Sequence, residues 1–360
     1  MILAIDCRYI GKSGIGTYIE NVLQCMLEKH TGNQYLLVTD VDRPWFHKYG
    51  NVCILLTDIK PFSMRELFLF PTKEINRCDA YYTPYINIPL GIRIPIFCTI
   101  HDVIFLDVKK ISSTFGRLIR WLFYKRAVNL SYSLFSVSEF SANRIRFYFH
   151  TEKKICVTYS AISAQIKTYK PNINRIFDFK YYLFVGNIKE HKGIDILIRA
   201  MNEIKKRGLS TKLVIIGEYN NFKTKDNHIL KLIEESKEDI YFTGYVSNDK
   251  LYDIIYQSIA LILPTHYEGF GLPPLESLYL GSNAIVTDIP VLREVYSELP
   301  VTFFHDGDIQ ALADILESEP QINLNLLKTR QYIDSHYNFI VIADKIINEI
   351  NLYGKNDNKK

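Results

Sequence analysis

The chain has 360 residues, 48% of them hydrophobic, with six cysteines and a formal net charge of +4. That length exceeds one ordinary core and suits two domains, while so mild a charge argues against a dedicated nucleic-acid binder. The cysteines at 7, 25, 53, 78, 98 and 156 include no CxxC pair, which argues against a disulfide framework or zinc site and for reduced core residues.

The opening MILAIDCRYIG has too short an apolar stretch before Arg8 for a signal peptide. No segment approaches the ~18 uncharged apolar residues of a membrane span, so a cytoplasmic protein is expected. Short β-like runs then alternate with helical patterns, as in parallel sheets with crossover helices. Strands are predicted over 2–6, 35–38, 53–56, 80–82, 96–100 and 133–137, with helices over 16–28, 114–128 and 138–149. A second series follows at 182–186, 213–216, 240–242, 260–263, 284–287 and 301–304. The weakly patterned stretch 166–180, with Pro171, Asn172 and Asn174, reads as a linker. Domains are therefore expected over 1–168 and 175–335, followed by a helix over 336–352 and a flexible tail over 353–360.

Several motifs fall at strand ends. Gly11-Lys12-Ser13-Gly14-Ile15-Gly16 follows the first strand and opens a helix, without the spacing of a dinucleotide fingerprint. His101 and Asp102 end another strand; a hydrogen-bonded structural histidine is the ordinary alternative to a functional one. Ser138 reads as a helix N-cap. Between Lys109 and Lys154 there are ten Lys or Arg residues against two acids, Glu139 and Glu152. Here Phe115, Leu118, Ile119, Leu122 and Phe123 share one helical face, with Arg117, Arg120, Trp121, Tyr124 and Lys125 near the other. The helix is either a solvated basic face or one that lies on anionic lipid.

In the second half, Lys192 sits in a turn after a strand, where a flexible ammonium can neutralise charge on a departing diphosphate. The richest segment is PTHYEGFGLPPLES, 264–277, which follows a predicted buried strand. Its glycines free the backbone and Pro273-Pro274 suit a first helical turn. The amides around Phe270, Gly271 and Leu272 would then face whatever occupies the helix's positive end, for which a diphosphate is the natural choice. Glu268 precedes that helix and Glu276 falls in its first turn, so both can reach one ligand and accept hydrogen bonds from sugar hydroxyls. Simple complementation of the helix dipole also accounts for Glu276.

Glu268, seven residues, then Glu276, inside EGFGLPPLE, resembles the signature of retaining glycosyltransferases of family 4. The resemblance implies the α/β GT-B fold, two Rossmann-like doubly wound domains facing a cleft, with the last helix crossing back to the first domain. It implies that Glu276 holds the ribose of a nucleotide and that Glu268 contacts the transferred sugar. Lys192 matches the family's lysine, but Asn187 stands where the family has an arginine, leaving His191 or another base to supply part of that contact. By the same analogy Gly14 and Gly16 let the backbone approach the diphosphate, His101 contacts the donor sugar or its phosphate, and Asp102 lies near the acceptor hydroxyl. The stretches 213–218 and 242–246 resemble segments beside the nucleotide and near its base, and 288–295 matches with a structural role.

The implied function is transfer of a hexose, first mannose from GDP-mannose, with retention, to a growing surface glycan or lipid-linked oligosaccharide. No metal or other cofactor is expected. The implied partners are the nucleotide sugar, the glycan acceptor and an anionic membrane surface at the inner face of the cell membrane. The alternatives are a nucleotide-sugar epimerase on the same scaffold, a glycoside hydrolase using the two glutamates, and a noncatalytic nucleotide-sugar binding protein.

Overall fold

A computed structural model of the chain describes residues 1–217, 227–319 and 325–357. The chain divides into two compact units, Met1–Ala161 with Tyr337–Lys360, and Ile162–His336. The first unit contains β1 (Ile2–Asp6), β2 (Gln34–Thr39), β3 (Val52–Leu56), β4 (Ala80–Thr83), β5 (Ile96–Ile100), β6 (Ser131–Ser136) and β7 (Ile155–Val157). They form one parallel sheet in the order β3-β2-β1-β4-β5-β6-β7. The second unit contains β8 (Tyr181–Val185), β9 (Lys212–Ile216), β10 (Ile240–Phe242), β11 (Ala260–Leu263), β12 (Asn283–Thr287) and β13 (Thr302–Phe304). These are also parallel, in the order β10-β9-β8-β11-β12-β13.

Strands covered on both faces read as unbroken apolar runs, and the central ones here do: Leu3, Ala4, Ile5, Leu183, Phe184, Leu261 and Ile262 are all fully buried. Helix Ile194–Lys206 lays Ile194, Leu197, Ile198, Met201 and Ile204 into the second core at three- and four-residue spacing. Each such side chain contributes about 1.5–3 kcal/mol of burial. In each sheet the winding direction reverses beside the unit's first strand, between β1 and β4 and between β8 and β11. Such reversals open a crevice outside the carboxyl ends of the strands.

Several elements differ from expectation. Strand β7, Ile155–Val157, was not among the predicted strands. The stretch 166–180 is tied to helix Asn248–Gln257 of the second unit. Asp253 accepts from the Asn172 amide at 2.7 Å and the Tyr169 hydroxyl at 2.8 Å, and Gln257 donates to the carbonyls of Asn172 and Asn174. The last helix, Phe339–Asp357, runs past the expected start of a tail at 353. It packs in the first unit, where Asp344 meets the His30 ring at 2.8 Å and Glu349 meets Ser133 at 3.1 Å and Lys154 at 2.5 Å. Glu218 lies outside the described residues.

The basic helix Thr114–Leu130 turns most of its apolar stripe outward, although Phe123 of that stripe packs part-buried against the core. Phe115 is 72% exposed and Leu118 54%, with Ile119 and Leu122 also exposed, while Tyr124, Ala127 and Val128 face the core. No described helix is long and apolar enough to cross a membrane.

Candidate active site

In the second unit the loops after β8 and β11 leave the same sheet edge side by side, because these strands are neighbours. The carbonyl of His191 accepts from the Thr265 hydroxyl at 2.8 Å and from the His266 amide at 2.9 Å. Gly193 allows the close approach: its φ is +63°, and a Cβ there would lie 1.8 Å from the Pro264 carbonyl oxygen. These locks bring Lys192 and Glu268 together, Nζ to Oε1 at 2.6 Å, with the lysine 24% and the glutamate 11% exposed. The Glu268 Cγ also lies 3.8 Å from where a Cβ of Gly271 would stand, so lysine, carboxylate and glycine turn are contiguous.

The helix Pro273–Leu280 begins with two prolines, which have no N–H to offer. Its next amide, that of Leu275, donates to the Tyr296 hydroxyl at 3.2 Å, and that hydroxyl donates to the Gly271 carbonyl. The donors left for an anion are therefore the amides just before the helix. Those of Gly271 and Leu272 have no protein acceptor among the described residues. Phe270 itself is buried. Glu276 is part-buried, no described residue donates a hydrogen bond to its carboxylate, and burial pushes its pKa up to about 7. Its charge is felt by the Tyr252 phenol, whose own pKa is raised mainly by burial. Such a carboxylate lacks the donors that a pair of sugar hydroxyls would supply.

Two further residues belong to the same loop as Lys192. His191 is 8% exposed, and burial, with Lys192, Lys189 and His266 nearby, holds its imidazole down at about 3. It is neutral at physiological pH, so any contact it makes with a phosphate is a hydrogen bond rather than a charge pair. Asn187 is exposed beside Gly186.

In the first unit His101 follows β5, and burial drives its pKa down to about 4, with a bond to the Pro84 backbone opposing. Its Nε2 is buried without a hydrogen-bond partner, and the Tyr18 ring meets its ring edge-on at 4.9 Å. Tyr18 belongs to helix Gly14–Lys29, so the glycine loop and His101 are coupled through one side chain. The two glycines differ. A Cβ on Gly16 would lie 2.1 Å from the Tyr9 carbonyl oxygen, whereas one on Gly14 would meet nothing within 4 Å. Gly16 is thus required by packing of the helix start against the loop, whatever binds there. Asp102 accepts from the Ile104 amide at 3.0 Å, just ahead of the short helix Ile104–Asp107. Ser138 is the N-cap of helix Glu139–Phe149, accepting from the Ser141 amide.

Sequence reasoning missed Thr265 and Tyr296, which hold the second-unit loops, and Tyr252, which feels the charge of Glu276, because their partners are remote in the chain. Thr265 carried the one available signal, its place inside the 264–277 motif.

Comparison with known proteins places this geometry. The profile of the Glycosyl transferases group 1 family matches residues 166–321. The O-antigen chain mannosyltransferase RfbU of Salmonella typhimurium is 23% identical over 315 residues, covering 81% of this chain and 84% of that one. An uncharacterized glycosyltransferase of Methanocaldococcus jannaschii is 33% identical over 118 residues, 33% of this chain and only 30% of its own length. Among solved structures, Anabaena HepE in complex with UDP-glucose superposes with a TM-score of 0.74 over 98% of this chain and 99% of that one, at 13% identity. The chain is a glycosyltransferase with the GT-B fold, and its residues 166–321 match the glycosyl transferases group 1 family.

Proposed function

We propose that the protein is a retaining hexosyltransferase, moving mannose from GDP-mannose as the first choice, to a hydroxyl of a growing surface glycan or lipid-linked oligosaccharide. The observation that carries this reading is the contiguity of Lys192, Glu268 and the Gly271–Leu272 amides, with Glu276, which has no hydrogen-bond donor among the described residues, one helical turn on. In this reading the diphosphate rests on the two amides and the helix end, and Lys192 takes up the charge that grows as the sugar–phosphate bond breaks. Glu268 orients Lys192 and accepts from hydroxyls of the transferred sugar, while Glu276 accepts from the ribose. No divalent ion enters the scheme, so transfer persists in EDTA. The mannose choice draws on the similarity to RfbU, and the nucleotide sugar on the UDP-glucose bound by HepE.

The first unit carries the acceptor side, with His101 toward the donor sugar and Asp102 toward the acceptor hydroxyl. Its outward apolar stripe on helix Thr114–Leu130, flanked by Lys109, Lys110, Arg117 and Lys125, suits an anionic bilayer surface. Sedimentation with phosphatidylglycerol vesicles but not with phosphatidylcholine vesicles tests that placement.

A panel of GDP-, UDP- and ADP-sugars, incubated with and without a glycan acceptor, tests the function. The reading expects one donor consumed into a glycoside of the same anomeric configuration, only when acceptor is present. Donor converted without acceptor would make the protein an epimerase, and binding without any product would make it a sensor.

A further inference from the structure

The winding reversal of the first sheet lies between β1 and β4, and the loops after these strands carry Tyr9 and Tyr85. Their rings stand 4.9 Å apart, and Phe62 closes edge-on over Tyr85 at 4.4 Å while remaining 47% exposed. Phe62 has φ +62°, a backbone conformation that non-glycine residues adopt only at a cost. What holds it there is buried: its amide donates to Glu66 Oε2 at 2.6 Å, and Glu66 is bound in turn by Arg8 at 2.5 Å and by Asn87. Arg8 has no exposed surface and also grips Asp6 at 2.6 Å and the Ile59 carbonyl at 3.0 Å. A strained, part-exposed aromatic fixed by a buried ion network is a ring held ready for contact.

We propose that Tyr9, Phe62 and Tyr85 form the platform on which a pyranose ring of the acceptor packs, with Asp102 accepting from its hydroxyls. The inference rests on the transferase reading above. Aromatic faces take the apolar C–H face of a sugar, and carboxylates take its hydroxyls. The surrounding charge selects a neutral ring. Among the described residues the fully buried cation, Arg8, is already shared by Asp6 and Glu66, while Asp102 and Arg120 act with opposite sign on both Tyr85 and Tyr124. Opposite charges that offset one another leave little net field to draw a phosphate or an anionic headgroup.

Phe62→Ala and Phe62→Tyr test the platform. Transfer is assayed to p-nitrophenyl glycosides of mannose, glucose, galactose, rhamnose and N-acetylglucosamine, using the donor the wild type turns over. Loss of one aromatic contact, about 1.4 kcal/mol, raises acceptor KM roughly tenfold in Phe62→Ala. The same variant keeps nucleotide affinity and acceptor-free donor hydrolysis at wild-type values, and Phe62→Tyr keeps acceptor KM. An unchanged acceptor KM in Phe62→Ala overturns the platform and leaves the transferase reading standing. So does a variant that keeps acceptor KM but loses sedimentation with anionic vesicles, which would assign Phe62 to lipid. If the wild type transfers to none of the glycosides under any donor, the transferase reading falls and the platform with it.

Discussion

The two winding reversals have the same topology and opposite chemistry. Between β8 and β11 the crevice is lined by an ion pair, open amides and a carboxylate raised to about 7, and its loops are locked by backbone contacts. Between β1 and β4 it is lined by tyrosine and phenylalanine rings, and its loops are held by a buried ion network. On the proposed reading, one crevice meets phosphate charge and ribose hydroxyls and the other a neutral ring. The same sheet geometry therefore supplies the place for a ligand, and the residues at the strand ends decide which ligand it is.

The largest break in this comparison comes from Arg8→Met. Removing the cation leaves Asp6 and Glu66 buried against each other, which costs roughly 3–5 kcal/mol in urea denaturation. A loss under 1 kcal/mol would mean the network does not hold the aromatic crevice. Gly193→Ala strikes the other crevice, driving a methyl into the Pro264 carbonyl from a left-handed backbone. A loss of about 2–4 kcal/mol is expected, together with weaker nucleotide binding because Lys192 and Glu268 separate. Stability lost without any change in nucleotide affinity would uncouple that lock from the site.

A smaller and sharper effect concerns Glu276. Its pKa rises from about 4.5 unfolded to about 7 folded, so the native state holds the extra proton between these values. The protonated acid's contribution to stability is fully present below pH 4.5 and is lost as pH rises through 7. Glu276→Gln, which cannot ionise, is expected to gain in unfolding midpoint over the wild type at pH 8 and to match it at pH 4. A gap that is the same at both pH values would show that burial does not perturb this carboxyl.

Much of this was legible in the chain. Apolar runs such as 260–263 and 96–100 marked strands because parallel strands are covered on both faces, and the strand-then-glycine-then-proline order marked the turn carrying Glu268 and Glu276. Periodicity also grouped Phe115, Leu118, Ile119 and Leu122, but it cannot say which way a face points, and that one points outward. The His191 environment was invisible, since a base between two charged neighbours reads as a surface residue until the fold buries it. The aromatic crevice was invisible for a different reason: Tyr9, Phe62 and Tyr85 meet only because β1 and β4 pair, and no local pattern encodes that pairing.

Calorimetric titration of GDP, or of whichever nucleoside diphosphate matches the donor, into the wild type, Glu276→Ala and Lys192→Ala tests the central claim most directly. The account predicts that each substitution weakens binding by roughly tenfold to a hundredfold, the worth of one hydrogen bond to a charged group. Wild-type affinity retained in both variants would contradict it.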